Sequence, residues 1–329
     1  MGPAIIQDIF QITDHRSFRE TALKVFYFQA AHTPVYHDYL VALGIDPLQI
    51  KEVEQIPFLP VEFFKTHMVI SEGLKAEEVF ESSGTTQQNP ASHHIADPSI
   101  YRKSFTDGFH RFYGAPENYC ILALLPSYLE RSGSSLVYMM EHLIRQSGHP
   151  DSGFYLDNLA ELSSVLQKRN ADQHPTLLIG VSFALLALAE LHPMKLGDHI
   201  MVMETGGMKG RRKELIRSEL HDILSEALGV SSVHSEYGMT ELLSQGYSKG
   251  SGLFHPPPWM RVLIRDPNDP LTLLPAGQTG GLNIIDLANL YSCSFIATGD
   301  LGKLHEDGSF EVLGRFDHSD IRGCNLLVS

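Results

Sequence analysis

Hydrophobic positions recur at helical spacing near the start of the chain, gather into short runs through its middle and alternate near its end. Each pattern predicts a different element. In SFRETALKVFYFQAAH, Phe18, Leu23, Phe26 and Ala30 fall on one helical face, and HDYLVALG closes a second helix with Gly44 as its C-terminal cap. IPFLPVEFFK follows, where Pro57 and Pro60 forbid continuous helix, so an extended connector packed by Phe58, Phe63 and Phe64 is expected. Short apolar runs then precede helical patterns: CILALLP before SSLVYMMEHLIRQ, TLLIGV before SFALLALAEL, and HIMVME before RRKELIRSELHDILSEALG. Repeated strand-then-helix order predicts an α/β sheet of parallel strands.

The last stretch reads differently. MRVLIRD, GGLNIID and GKLHEDGSFEVLG are short segments bounded by turn residues, which predicts antiparallel strands with Asp307-Gly308 as a hairpin turn. The change of pattern puts a subdomain boundary near residue 255, without any internal repeat, low-complexity tract or long linker.

Composition narrows the partners. The 329 residues are 43% hydrophobic, ample for a packed core. Lys and Arg total 25 against 39 Asp and Glu, a net charge of -14, which argues against nucleic acid or an anionic membrane surface and makes any phosphate site a local one. The longest apolar stretch, Phe183 to Leu191, is too short to span a bilayer, and the N-terminus lacks a charged-then-apolar signal pattern. A cytoplasmic protein that is not integral to a membrane is expected. Cys120, Cys293 and Cys324 are odd in number and lack metal-like spacing, so free thiols in a reducing compartment are expected. Cys120 and Cys293 lie in apolar runs and read as core. The 17 histidines show no metal-ligand spacing; His234, just ahead of Tyr237, is kept as a candidate wall residue.

Candidate chemistry lies in separate patches. In VFESSGTTQQNPASHHI, the residues Ser82, Ser83, Gly84, Thr85 and Thr86 make a turn rich in glycine and hydroxyls between strand-like pieces. Backbone N–H groups and hydroxyls there can hold phosphate oxygens, although the same cluster suits a solvated turn and lacks a Walker lysine. HSEYGMTELLSQGY offers Tyr237 to stack on a base, Thr240 to hold a phosphate oxygen and Glu241 to ligate Mg²⁺. FIATGDLG sets Asp300 beside Gly299 at a strand end, where a carboxylate can accept from a ribose diol, and VLGRFDHSDIRG adds Arg315 as a fixed cation. Each has a structural alternative: Tyr237 in the core, Asp300 as a turn former, Arg315 in a surface ion pair.

In this order and at these separations, over residues 82 to 323, the patches resemble the adenylate-forming superfamily of acyl-CoA synthetases, adenylation domains and luciferases. The resemblance implies its α/β large N-terminal domain, with mixed sheets, flanking helices and a small antiparallel C-terminal subdomain. It implies ATP and Mg²⁺, with Ser82, Ser83, Gly84, Thr85 and Thr86 around the β- and γ-phosphates and Thr240 at the α-phosphate. Tyr237 would lie on one side of adenine and Gly206 with Gly207, from METGGMKG, on the other; Glu241 would bind Mg²⁺, Asp300 the ribose hydroxyls, and Arg315 ribose or phosphate. Two departures stand out: Gln87 follows the second Thr where a glycine is common, and Ala91 stands near where a lysine is common. The chain also stops just past the hinge segment, so it is expected to lack the usual mobile C-terminal domain and its catalytic lysine.

Within that superfamily, IPFLPVEFFK, PSYLERSGSSL, METGGMKGRR, SEYGMTELLSQ and DIRGC resemble the acyl-protein synthetase (LuxE-type) family. That resemblance implies an adenylation domain over residues 1–314 and a hinge-like segment and tail over 315–329, in which Cys324 accepts the acyl group. The implied enzyme is an acid–thiol ligase: it converts a fatty acid to acyl-AMP, forms a thioester and hands the acyl group to an acyl-CoA-reductase-type protein partner. Two rivals remain: an acyl-CoA or aryl-CoA ligase without its mobile domain, and an inactive nucleotide-binding scaffold.

Overall fold

From Cys120 onward, strand and helix alternate as the apolar runs predict. The structure is a computed structural model that describes residues 2–82, 90–125, 133–156, 158–206 and 215–316. The chain divides into two units, Ala76–Pro257 and Met1–Lys75 with Pro258–Ser329.

In the unit Ala76–Pro257, the strand Cys120–Leu124 precedes the helix Ser135–Ser147, Thr176–Gly180 precedes Ser182–Leu191, and Ile200–Glu204 precedes Arg217–Leu228. The sheet runs Gly153–Phe154, Cys120–Leu124, Thr176–Gly180, Ile200–Glu204, His234–Tyr237, Gly246–Ser248; all neighbours are parallel except the last pair. Every residue of Cys120–Leu124 and Thr176–Gly180 is buried. A parallel strand with both faces covered has no solvent side, which is why these segments read as unbroken apolar runs. Cys120 is buried among them, as expected of a core thiol.

A separate ladder in this unit pairs Glu78–Glu81 with Ser92–Ile95 in antiparallel register. Its open end is closed by Ser82, whose N–H donates to Ala91 O at 2.9 Å and whose Oγ accepts from Ala91 N at 2.8 Å.

In the other unit, Met260–Arg265, Thr279–Asp286, Phe295–Leu304 and Phe310–Arg315 pair successively as antiparallel strands. The expected hairpin is present: Gly308 has φ +84° and His305 N donates to Ser309 O at 2.8 Å. These strands share their unit with the start of the chain. The helices Gly2–Phe10, His15–His32 and Pro34–Ala42 belong to the same unit, and Leu59–Pro60 pairs in parallel with Ile296 and Ala297. The connector IPFLPVEFFK is therefore partly a strand, and it continues into a single helical turn, Phe63–Thr66. Phe58 and Phe64 are buried, whereas Phe63 is half-buried against Tyr39 and His67.

The core of this unit centres on Phe295, whose ring meets Phe26, Tyr36 and Phe58 at centroid distances of 6.1, 6.1 and 6.3 Å. Gln29, buried on the second helix, donates to Asn289 O and Leu290 O and accepts from Ser294 N, so one amide ties that helix to the loop before Phe295. Among the described residues no helix is long and apolar enough to cross a membrane.

Candidate active site

The carboxyl ends of the parallel strands collect the candidate residues of the unit Ala76–Pro257. Register aligns Leu124 with Gly180, Gly180 with Glu204 and Glu204 with Ser235, so the residues that follow leave the sheet at one edge. Open α/β sheets bind ligands at that edge because the turns there carry unpaired backbone groups and helix starts. Gly206 leaves Ile200–Glu204 with φ +65°, a conformation that favours glycine, and among the described residues, its chain neighbours aside, no atom lies within 4 Å of where a Cβ would project. Tyr237 ends its strand buried, edge-on to Phe254 at 5.9 Å. Thr240 and Glu241 lie in the following turn, Thr240 half-buried and Glu241 buried.

That turn is held from the hairpin side. His93, buried on the strand Ser92–Ile95, donates from Nδ1 to Thr240 O at 2.9 Å, which fixes its tautomer. Burial, with His94 beside it, pushes His93 down to about 4, against the opposing pull of the Thr240 carbonyl. Ser104 Oγ and Ser244 Oγ, 3.0 Å apart and buried, anchor the far end of the turn to the helix Pro98–Tyr113.

Two carboxyl groups that sequence reasoning passed over sit at the same edge. Glu204 Oε2 accepts from Gly206 N at 2.6 Å, and Glu204 Oε1 lies 3.1 Å from Arg217 Nε. Burial pushes Glu204 up, but hydrogen bonds from His221 and Ser235 and the Arg217 charge outweigh it and hold the group at about 2. Glu236 behaves oppositely. It accepts from Thr205 Oγ1 at 2.6 Å, yet burial and the neighbouring Glu204 charge push it up to about 7. A signal was present: a charged residue at or next to the end of a buried strand, as in HIMVME and SSVHSEY, is uncommon unless it is paired.

In the other unit, Asp300 and Arg315 are register partners on adjacent strands, with Arg315 Nε 3.3 Å from Asp300 Oδ1. Asp300 does not stand at a strand end as expected. It lies inside Phe295–Leu304, next to a register shift between Leu301 and Gly302. Gly299-Asp300 reads like a strand terminator, but the bulge absorbs the irregularity and the strand continues. Asp300 N donates to Thr298 Oγ1 at 3.1 Å, and buried Arg265 holds the same segment from below, donating to Leu282 O, Asn283 Oδ1 and Thr298 O.

The structure therefore gathers Gly206, Tyr237, Thr240 and Glu241 at one sheet edge, and pairs Asp300 with Arg315 in the other unit. Ser82 closes the ladder of Glu78–Glu81 with Ser92–Ile95; Ser83, Gly84, Thr85, Thr86, Gly207 and Cys324 lie outside the described residues. His234 opens the strand that Tyr237 closes, and its Nδ1 lies 3.3 Å from Tyr113 Oη. By register it lies beside Met203, one residue before the level of Glu204.

No protein-family model matches the chain, and no curated protein matches it. Solved structures do. An ATP-bound RpMatB-BxBclM chimera superposes with a TM-score of 0.53 at 17% identity, over 75% of this chain and 49% of the other. ATP-bound MatB from Rhodopseudomonas palustris gives 0.52 at 16% identity, over 72% and 47%. An open conformation of 2-hydroxyisobutyryl-CoA ligase, in complex with 2-HIB-AMP and CoA, gives 0.64 at 14% identity, over 93% and 72%. The chain spans about half the length of the MatB structures it matches. At these identities the likeness concerns the fold: an α/β architecture of mixed sheets and helices like the large N-terminal domain of adenylate-forming enzymes.

Proposed function

We propose that this protein is an acid–thiol ligase that activates a carboxylic acid, in the first instance a fatty acid, as its acyl adenylate and passes the acyl group to a thiol. The observation that carries this reading is the shared edge: an adenylate-forming fold whose strands deliver Gly206, Tyr237, Thr240 and Glu241 to one end of the sheet. The left-handed backbone at Gly206 suits close approach of a flat base, with Tyr237 as the candidate stacking partner.

Glu241 suits a hard cation shared with phosphate. Glu241 would hold Mg²⁺ as one carboxylate ligand, the kind of site in which the ion keeps waters and takes substrate phosphate oxygens. Bound there, Mg²⁺ would neutralise charge on the phosphates. The remaining work falls to the chain. Ser83, Thr85 and Thr86 would hold the β- and γ-phosphates in the loop with Ser82 and Gly84, Thr240 the α-phosphate, Asp300 the ribose hydroxyls, and Arg315 ribose or phosphate.

A carboxylate oxygen of the acid attacks the α-phosphorus, the bond to the β-phosphate breaks, and pyrophosphate leaves with the electron pair. A thiolate then attacks the carbonyl carbon of the mixed anhydride, and AMP leaves. In our reading the thiol is Cys324, on a tail over residues 315–329, and an acyl-reductase-type partner takes the acyl group from it. A CoA thiol is the second reading, favoured by the CoA ligase among the structural neighbours.

Exchange of labelled pyrophosphate into ATP tests the first step. Exchange that requires an added carboxylic acid and fails in Glu241→Gln is the expected result; ATP binding without exchange for any fatty or aromatic acid would favour a scaffold.

A further inference from the structure

Glu236 has no part in the reaction as written, yet it is buried one residue before Tyr237. Its partner Thr205 stands one residue before Gly206 and bridges its neighbours: Thr205 N donates to Gly180 O at 3.1 Å, and Thr205 Oγ1 donates to Glu236 Oε2 at 2.6 Å. On the other side, a Cβ added at Gly238 would lie 2.5 Å from Glu236 Oε1. The carboxyl group therefore joins the end of Ile200–Glu204, just before Gly206, to the end of His234–Tyr237, just before Gly238. We propose that Glu236 and Thr205 are positioning residues for nucleotide binding, whose hydrogen bond ties these two strand ends together, and that a negative charge on Glu236 opposes an incoming triphosphate. This inference rests on the ATP reading given above.

The surroundings explain why ionisation matters. Glu204 faces Glu236 from the adjacent strand. Tyr247, its register partner, and Tyr113, from the helix Pro98–Tyr113, are neighbouring phenols that burial keeps protonated. Arg217 and His221, from the helix Arg217–Leu228, engage Glu204. With Glu204 held ionised, a second buried negative charge at Glu236 would be repelled, and an incoming triphosphate would add to the repulsion. Burial and Glu204 keep the proton on Glu236 up to about 7.

The test is calorimetric titration of the full chain with Mg-ATP from about pH 6 to about pH 9, bracketing that ionisation, in wild type, Glu236→Gln, Thr205→Val and Thr205→Ser. Glutamine keeps an acceptor for Thr205 and cannot ionise. Relative to Glu236→Gln, wild type is expected to lose about tenfold in affinity as pH rises through the range, the equivalent of one unit of coupled pKa shift. Thr205→Val should weaken binding at every pH, and Thr205→Ser should restore it. Parallel pH profiles for wild type and Glu236→Gln, with both binding ATP, overturn the inference alone. Equal binding by Thr205→Val and Thr205→Ser does the same, even if the Glu236 variant fails to fold. Absence of ATP binding by wild type at every pH removes the nucleotide reading and this inference with it.

Discussion

Asp300 and Arg315 face each other across adjacent antiparallel strands, so the two residues assigned to the ribose side of a nucleotide already form a pair with each other. The partners differ in setting: the Arg315 side chain is 76% exposed and that of Asp300 12%. A pair with one arm in solvent contributes about 0–1 kcal/mol to stability. Arg315→Ala should therefore leave the unfolding midpoint nearly unchanged. If the guanidinium serves the nucleotide, the same substitution should weaken ATP binding about tenfold, the loss of one charge-assisted contact. Thermal unfolding and ATP titration of one sample separate the two roles; lost stability with retained affinity would leave only the ion pair.

Arg265 should matter in the opposite way. Its Nη1 donates to Leu282 O at 2.7 Å and Asn283 Oδ1 at 2.9 Å, its Nη2 donates to Thr298 O, and a Cβ at Gly281 would lie 2.5 Å from its Cζ. Arg265→Met strips donors from buried acceptors and is expected to cost about 2–4 kcal/mol in urea unfolding. Arg265→Lys, which keeps the charge without the planar fork, should fall between it and wild type. A Met variant as stable as wild type would show that these contacts carry no net energy.

Local physics decided which parts of this fold could be read in advance. Cys120–Leu124 and Thr176–Gly180 were readable because a strand buried on both faces must be apolar throughout. The joining of the first 75 residues to the last strands was not: contacts such as Gln29 with Ser294 connect positions 265 apart and leave no local pattern. Within the site, Gly206, Tyr237, Thr240 and Glu241 belong to short motifs and could be named. His93 and Thr205 could not, because each has its meaning through a partner, Thr240 at a separation of 147 and Glu236 at 31. Asp300 was misplaced at a strand end because a bulge is invisible to residue preference.

Glu236 also predicts how stability varies with pH. Its pKa rises from 4.5 to about 7 on folding, so the folded chain holds a proton that the unfolded chain releases. The stabilisation is present at low pH and is lost as pH rises through about 7, by up to about 3 kcal/mol. Glu236→Gln should therefore gain on wild type in urea midpoint between about pH 5 and about pH 8, across that window. A constant difference would show that the carboxyl does not change its proton affinity on folding.

His93 predicts the reverse slope. Its pKa falls from 6.5 to about 4, so folding favours neutral imidazole, and the stabilisation present above 6.5 is lost as pH falls through about 4. Asparagine can place an amide N–H near Nδ1 and has no charge to gain. His93→Asn should be less stable than wild type at neutral pH, and the deficit should shrink on acidification. A deficit independent of pH would assign His93 to packing alone.

The last prediction concerns which thiol can carry an acyl group. Only a thiolate attacks an acyl adenylate efficiently, and burial pushes Cys120 up to about 11 and Cys293 up to about 12. Both are buried, and Cys293 Sγ also donates to Phe295 O at 3.4 Å. Neither should react with iodoacetamide in the native protein. If the chain acylates itself on cysteine, Cys324 is then the remaining candidate. Intact mass measured after incubation with Mg-ATP and a mixture of fatty acids should rise by one acyl group, and hydroxylamine should remove it. Cys324→Ser should abolish the gain, while Cys120→Ser should not. A gain that survives in Cys324→Ser would move the acceptor elsewhere, and accumulated acyl-AMP discharged only by added CoA would establish the CoA-ligase reading in place of self-acylation.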